Sequence, residues 1–394
     1  MAESAPGPTG GDALPALEAE VVIAVHTMDR PIRRAVESVL AAGQGRAGAL
    51  VVCHNTDPAP VRTALDGLIG RGVRVLDLVD GIASPAGPFN YGLRAATTDF
   101  VGIMGSDDTL ESGALAAWLD VAATAEADVV IAPLRTRSGQ QILTPRARVW
   151  RGVLVDPIRD RLAYRTAPLG LIRRSLLQER SLALTEGLRT GEDLEFGLRL
   201  WFSGARIAYL SDAPAYLVGE DAAVRVTSAV LPLKEQFRDL RLLTEGTWFA
   251  GLGAAQREAI AVKLLRGHVI SAALRRGSGF DWEASDCQEM ADVLTGIAQL
   301  APGAARLLSG PDEQLLLSLA TDASPEAVRT ALRRREAAHV LERSLTRRMR
   351  DNLRVESPLR SNLNSVLATI NRKLRRKPAQ PVRQTDAPGR KDDK

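Results

Sequence analysis

Cysteine is scarce, because this chain of 394 residues contains only Cys53 and Cys287, far apart and without metal-ligand spacing. The two residues provide neither a disulfide framework nor a cysteine-based zinc site, and they favour a reducing, cytoplasmic location. The chain also lacks any run of about 18 apolar residues that would span a bilayer. Residues 1–18 have neither a basic start nor an apolar centre, so they are predicted to be a flexible leader rather than a signal peptide.

Aromatic residues are also few, at 4%, whereas the hydrophobic fraction is 45% and the charged fraction is 25%. The last two values indicate a globular protein with a hydrophobic core, and the length suggests two domains. The formal net charge of +4 comes from the C-terminal tail, because residues 372–394 alone contain nine basic and three acidic side chains. The rest of the chain is slightly acidic, so the charge gives no indication of nucleic-acid binding.

Strand-like and helix-like patterns alternate over the first 230 residues. Buried strands are predicted from the runs "AEVVIAVHT", "GALVVCHN", "VRVLDLV", "FVGIMG" and "ADVVIAPL". The segments between them have helical spacing, and the first two, "IRRAVESVLAAG" and "APVRTALDGLIGRG", predict helices over 32–43 and 59–72. This alternation predicts an α/β fold with a mostly parallel central sheet, in which ligands bind beyond the carboxyl ends of the strands. From about residue 231 the pattern is helical, which predicts a C-terminal helical domain over 231–377 and a disordered tail over 378–394.

Two adjacent carboxylates, Asp107 and Asp108, follow the predicted strand at 100–104. Like charges side by side are unfavourable unless a positive partner lies nearby. One interpretation is helix capping, for which a single aspartate would suffice. The other is a site for Mg²⁺ or Mn²⁺, because these hard cations prefer carboxylate oxygens and Mg²⁺ takes substrate phosphates as further ligands.

A second acidic pair, Glu192 and Asp193, stands at the start of a predicted amphipathic helix. Thr190 and Asp193 have the spacing of a capping box, which is the structural interpretation. A carboxylate at a helix start is also held rigidly, as a general base must be. Both interpretations remain open from the residues alone.

The order of these segments resembles that of the family-2 glycosyltransferases, which have a GT-A fold. "VVIAVHTMDRPIRRAVESVL" is similar to their first strand, turn and helix, and "ALVVCHNTD" stands where they have "IVVDDGSTD". "FNYGLRAATTDFVGIMGSDDTLESGAL" resembles their helix and metal motif, and "GLRTGEDLEFGLRLWFSG" resembles their "ED" helix. The resemblance covers residues 19–227 and implies a Rossmann-like GT-A domain over 19–230.

The resemblance also implies a mechanism. A nucleotide-sugar donor would bind with Mg²⁺ or Mn²⁺ held by Asp107, helped by Asp108. Asp193 would be the base for an inverting transfer to a hydroxyl of a cell-surface glycan, polymer or lipid-linked acceptor, and Glu192 would bind that acceptor. The donor-binding residues that the resemblance implies are His26, Thr27, Asp29, Asn55, Asn90, Ser106 and Arg225.

Four residues, in three motifs, depart from the family pattern. Gly105 replaces the first acid of the D-x-D motif, His54 and Asn55 replace the acids of "DDGS", and Phe89 replaces an arginine. The departures indicate either a different nucleotide specificity or a catalytically degenerate, GT-A-like binding module. A sugar nucleotidyltransferase is a further alternative, although "VHTMDRP" lacks the glycine-rich phosphate loop that such an enzyme would need.

The end of the helical region has an apolar stripe beside a basic cluster. Leu363, Val366, Leu367, Ile370 and Leu374 recur at helical spacing, and five basic residues lie within 372–377. This pattern is typical of a helix on an anionic membrane surface, so residues 361–377 are predicted to contact one. Two alternatives stay open: the stripe packs on the helical domain, or it joins two subunits.

Overall fold

The computed structural model of the protein describes residues 16–145, 147–148, 152–219 and 231–375, and strands alternate with helices over most of its first half. The strands are β1 (Ala19–Val25), β2 (Ala47–His54), β3 (Val73–Leu78), β4 (Phe100–Gly105), β5 (Thr109–Leu110), β6 (Val129–Ile131), β7 (Leu134–Thr136), β8 (Gln141–Ile142), β9 (Gly170–Arg173), β10 (Ile207–Tyr209) and β11 (Tyr216–Val218). The α-helices are α1 (Ile32–Gly43), α2 (Pro58–Ala64), α3 (Ala86–Ala95), α4 (Ala114–Thr124), α5 (Arg174–Glu179), α6 (Glu192–Trp201), α7 (Leu233–Gln236), α8 (Arg238–Glu245), α9 (Thr247–Ala250), α10 (Ala254–Leu264), α11 (Ser271–Arg276), α12 (Ala284–Leu300), α13 (Gly310–Thr321), α14 (Pro325–Ala337) and α15 (Pro358–Arg375).

The central sheet has the strand order β10-β6-β9-β4-β1-β2-β3 within the described residues. Its pairs are parallel except that β9 runs antiparallel to both β4 and β6. The central strands are mostly apolar because helices and loops cover both faces, and the exposure of Ile23 and Val51 is 0%. The predicted α/β fold with a mostly parallel central sheet is therefore confirmed.

A smaller sheet, β5-β11-β7-β8, lies beside the carboxyl end of β4. Strand β5 follows the acidic pair directly and pairs antiparallel with β11, so that Tyr216 stands opposite Leu110. The sequence did not predict this sheet, because strands of two or three residues are too short to show an alternating pattern. Its consequence for the site is that Tyr216 is brought next to Asp108.

The helical C-terminal region packs against the first half of the chain. One continuous apolar cluster joins Val22 and Leu50 of the sheet to Phe237, Leu240 and Phe249 of the region that starts at α7. The predicted helical region is thus confirmed, whereas its exact boundaries remain predictions. In the described part of the chain no helix has both the length and the apolar character that crossing a bilayer requires.

Candidate active site

A cavity of about 940 Å³ lies at the carboxyl ends of β1, β2 and β4. This is the position at which α/β sheets bind ligands. Four of the residues that were predicted from the sequence to bind the donor or the metal line the cavity: His26, Asn55, Ser106 and Asp107. The cavity walls are also formed by Arg30, His54, Ile82, Pro88, Phe89 and Arg189.

Asp107 is paired with Arg30, whose Nη1 atom lies 2.6 Å from Asp107 Oδ2. Both side chains are about one-fifth exposed, at 21% and 19%, and both line the cavity. The positive partner that two adjacent carboxylates require is therefore Arg30, from the turn after β1. Arg30 was not predicted as a site residue from the sequence. Its place in the turn after β1, a strand that ends at the ligand-binding edge, was a usable signal.

Asp108 is directed into the protein. Its Oδ1 accepts the backbone N–H of Gly219 at 2.6 Å, and its Oδ2 accepts the hydroxyl of the buried Tyr216. Burial raises the pKa of Asp108, and these two hydrogen bonds act in the opposite direction. Both carboxylate oxygens thus bind protein groups, so the geometry gives Asp108 a structural contact that the sequence reasoning did not foresee.

Gly105, which replaces the first acid of the family's metal motif, has a steric reason to be glycine. A Cβ atom at this position would lie 2.7 Å from Asp108 Oδ2 and 3.2 Å from Asp107 Oδ1. The carboxylate of Asp108 therefore occupies the space that a side chain at 105 would need. The loss of the first acid and the inward direction of Asp108 are parts of one local arrangement.

A divalent cation fits this site only if a bound ligand completes its coordination. In the described ranges, no group of three or more His, Cys, Asp or Glu side chains is arranged to hold a metal ion. Asp107 nevertheless presents a carboxylate to the cavity, and Mg²⁺ is commonly held by one or two carboxylates plus water and substrate phosphates. The residues present are compatible with a cation that arrives with a diphosphate.

His54 and Asn55 hold the loop at 80–82. The Oδ1 atom of Asn55 accepts the backbone N–H groups of Asp80 and Gly81, both at 3.0 Å. His54 Nε2 lies 2.9 Å from Asp80 Oδ1, which also accepts from Asn55 Nδ2 at 3.1 Å. Asn55 was predicted to contact the donor, and it does line the cavity, but its amide is largely engaged in shaping the cavity wall.

Three other predicted donor-binding residues do not line the cavity. Asn90 is buried, donates to Leu184 O at 2.9 Å and to Glu186 Oε1 at 3.0 Å, and accepts the Leu184 N–H. Thr27 and Asp29 bond to each other in the turn after β1, at 3.1 Å. Arg225 lies outside the described residues. Asn90 therefore connects α3 to the segment that leads into the second acidic pair.

Glu192 and Asp193 form the first turn of α6, which begins after Gly191 at φ 83° and has no side-chain capping bond. The capping box suggested by Thr190 and Asp193 is therefore not formed. Burial is the main cause that raises the pKa of both acids, and burial together with the smaller effect of the Asp193 charge raises the pKa of Glu192 to about 7. A general base gains from a pKa moved toward neutral pH, so this environment suits acid–base chemistry.

The acidic pair is not among the residues that line the cavity. Arg189, three residues before Glu192, lines the cavity and also approaches Glu235 of α7, with Nε 3.6 Å from Oε1. The sequence reasoning missed Arg189. The site thus has a cavity with Asp107, Arg30 and Arg189 on its wall and a half-buried acidic pair at the start of α6.

This architecture is the GT-A fold of nucleotide-sugar glycosyltransferases. The similar solved structures include residues 1–349 of Staphylococcus aureus TarS in complex with UDP-GlcNAc, with a TM-score of 0.66 and 19% identity, over 80% of this chain and 91% of that one. A complex of the same fragment with UDP gives a TM-score of 0.66 and 18% identity, over 82% and 93%. The fold predicted from the resemblance is confirmed.

The chain belongs to the glycosyltransferase-like family 2, whose model matches residues 15–229. Among curated proteins, the poly(ribitol-phosphate) β-N-acetylglucosaminyltransferase TarS of Staphylococcus aureus is 24% identical over 200 residues, 50% of this chain and 34% of TarS. The poly(ribitol-phosphate) β-glucosyltransferase of Bacillus spizizenii is 19% identical over 222 residues, 55% of this chain and 34% of that enzyme. The chain spans about a third of the length of these relatives.

Proposed function

We propose that the protein transfers a sugar from a nucleotide-sugar donor to a hydroxyl group of a bacterial cell-surface polymer. The observation that carries the proposal is the cavity at the carboxyl ends of the sheet, with Asp107 and Arg189 on its wall and with an acidic pair, Glu192 and Asp193, shortly after Arg189 at the start of α6. Two curated relatives act on poly(ribitol-phosphate), as their names state, which supports a polymeric, hydroxyl-rich acceptor.

In this proposal the chain's own groups provide binding and proton transfer. Arg30 and Arg189 would hold the negatively charged diphosphate in the cavity, and Glu192 would bind the acceptor. Asp193 would accept the proton of the acceptor hydroxyl as its oxygen forms the new bond to the anomeric carbon, and the nucleoside diphosphate would leave from the opposite face with inversion. Asp107 would hold Mg²⁺ or Mn²⁺, which when bound neutralises charge on the leaving diphosphate.

The experiment that tests the function incubates the protein with a panel of sugar nucleotides, with and without Mn²⁺ and with a ribitol-phosphate polymer as acceptor. We expect Mn²⁺-stimulated release of nucleoside diphosphate from one donor, increased by the polymer. Nucleotide binding without turnover would instead identify a binding module. Formation of a sugar nucleotide from a nucleoside triphosphate and a sugar phosphate would identify a nucleotidyltransferase.

We also propose that the C-terminal part of the helical region contacts an anionic membrane surface. Leu359, Leu363, Val366 and Ile370 of α15 are between 42 and 55% exposed, so about half of the surface of each apolar side chain faces solvent. The neighbouring turns at 340–354 add Val340, Leu341, Met349 and Leu353, which are between 74 and 78% exposed, together with five arginines. Exposed apolar side chains among basic ones are typical of an interfacial surface.

The membrane contact is tested by flotation with phosphatidylglycerol liposomes at low and high salt. We expect the full chain to float at low salt and to be released by high salt, because each basic side chain contributes only ~1 kcal/mol and is screened. The variant with Leu363→Ser, Val366→Ser and Ile370→Ser should stay at the bottom, whereas Leu242→Ser, at an exposed position of α8, should float. The proposal would be contradicted if all variants floated equally or if the wild type did not float.

A further inference from the structure

Asn90 of α3 uses its whole side-chain amide to hold a segment that is distant in the sequence. Its Oδ1 accepts the N–H of Leu184 at 2.9 Å, and its Nδ2 donates to Leu184 O at 2.9 Å and to Glu186 Oε1 at 3.0 Å. Asn90 and Leu184 are each only 3% exposed, so the two bonds to the Leu184 backbone are shielded from water. The amide pairs with Leu184 as a neighbouring peptide group would, through one donor and one acceptor.

Thr185 continues this contact to the acidic pair. Its N–H donates to Glu192 O at 3.0 Å, which closes a loop over residues 185–192. The loop includes Arg189 of the cavity wall and ends in the first turn of α6. Asn90 therefore attaches the base of this loop to α3.

The helix that carries Asn90 also forms part of the cavity wall. Pro88 and Phe89 of α3 line the cavity directly before Asn90. On the other side of the loop, Arg238 Nη1 of α8 donates to Gly187 O at 3.0 Å. The loop thus lies between a wall of the cavity and the helical region, and Asn90 is its attachment on the cavity side.

We propose that Asn90 is a positioning residue for the glycosyl-transfer site, which holds Asp193 at a fixed place relative to the cavity through Leu184 and Thr185. The inference rests on the proposed function, since Asp193 is the base of that reaction. A base acts only within hydrogen-bond reach of the proton that it accepts, and a displacement of about 1 Å can lower the rate ~10²-fold. Asn90 is not among the residues that line the cavity, so it acts on the reaction through this loop.

The kinetic test compares Asn90→Ala with Ser309→Ala, at saturating donor and per folded molecule. Ser309 is the matched control, because it is 1% exposed and its Oγ accepts the N–H of Asp312 in the helical region, at 3.3 Å. Both variants should lower the melting temperature, since each leaves a buried N–H unpaired. We expect only Asn90→Ala to lower turnover, by about tenfold or more. Added to Asp193→Asn it should lower turnover by less than about twofold, because it acts through that base.

A second variant tests the same contact if Asn90→Ala does not fold. Asn90→Asp keeps the shape of the side chain and the oxygen that accepts the Leu184 N–H, but it places a carboxylate oxygen opposite Leu184 O and Glu186 Oε1. It should therefore lower turnover as well, and normal turnover of this variant would overturn the proposal. Adding Glu186→Gln supplies an amide that donates to the new carboxylate, so part of the lost turnover should return.

Hydrogen exchange reports on the loop without substrate, so failure of the inference can be separated from failure of the function. In Asn90→Ala the Leu184 amide loses its hydrogen-bond acceptor directly and should exchange faster whatever happens to the loop. The amides of Thr185 and Leu194 are decisive, because they donate to carbonyl oxygens at the start of α6, over 3.0 and 3.1 Å. We expect both to exchange about tenfold faster or more than in the wild type.

The two measurements together decide the role of Asn90. Ser309→Ala should leave the exchange of Thr185 and Leu194 unchanged. Unchanged exchange of both amides in Asn90→Ala, or faster exchange in an enzyme of normal turnover, would overturn the positioning role. Faster exchange in a protein whose wild type transfers no sugar would support the attachment of the loop and contradict the proposed function.

Discussion

The Asp193→Asn variant is expected to bind the donor normally and to transfer sugar ~10²-fold more slowly, or worse, as loss of a general base should cause. Asparagine has nearly the same shape but does not accept a proton, so the first turn of α6 should remain intact. Because α6 has no side-chain capping bond, little stability depends on this carboxylate. The measurements are the transfer rate, calorimetric donor binding and the melting temperature of one preparation.

The matched control is Glu195→Gln in the same turn of α6, where Glu195 forms only a partly exposed ion pair with Arg199 at 3.6 Å. This variant should keep near-normal turnover, since such pairs contribute little to stability. If Asp193→Asn also kept normal turnover, or lost activity only in proportion to unfolded protein, the assignment of Asp193 as the base would be wrong.

The second large effect is expected from Asp107→Asn, which should abolish the Mn²⁺-dependent part of donor binding and lower turnover by ~10²-fold or more. The reason is that Asp107 presents its carboxylate to the cavity and is the aspartate at the metal-holding position of the resembling motif. The lost ion pair with Arg30 is partly exposed, so the melting temperature should change little. Donor binding is measured by titration with and without Mn²⁺.

Asp108→Asn is the contrasting variant, because Asp108 and its neighbour Asp107 have the same carboxylate group in different environments. An amide in place of the carboxylate leaves the N–H of Gly219 and the hydroxyl of Tyr216 with poorer partners, and buried hydrogen bonds to charged groups contribute ~1.5–3 kcal/mol each. Asp108→Asn should therefore lower the melting temperature. An equal loss of Mn²⁺ dependence in both variants would show that the two acids act together on the metal.

Regular elements could be predicted from the sequence because their signal is local. The helix predicted over 32–43 has those bounds in the structure, and the strand at 100–105 does as well. The helix predicted over 59–72 ends at Ala64, because the glycines that follow, such as Gly67 and Gly70, have positive φ values of 78° and 81°. A glycine does not interrupt the apolar spacing from which a helix is predicted, but here the glycines end the helix.

The partners of the site residues could not be predicted, because they come from distant parts of the chain. The turn after β1 marks Arg30 as a candidate for the ligand-binding edge, but nothing in the sequence pairs it with Asp107, and nothing near Asp108 indicates Tyr216. Asn90 shows the same limit: its type and place suggested a ligand contact, whereas the fold engages it with Leu184. The order of the segments is sufficient to identify a family. Which side chains pair with each other can be read only from the three-dimensional structure.

The apolar cluster that continues from Val22 and Leu50 of the sheet to Phe237 and Phe249 has a consequence for how this fold can change. A glycosyltransferase domain cut at residue 230 would expose the apolar side chains of α6 and of residues 162–164 that pack on α8 and α10, so we expect the two halves to unfold as a single cooperative unit. Recombination between relatives should then succeed more readily at loops of the donor edge than at the apparent domain boundary. An exchange of donor-edge loops should accordingly cost the fold less than an exchange of the helical region.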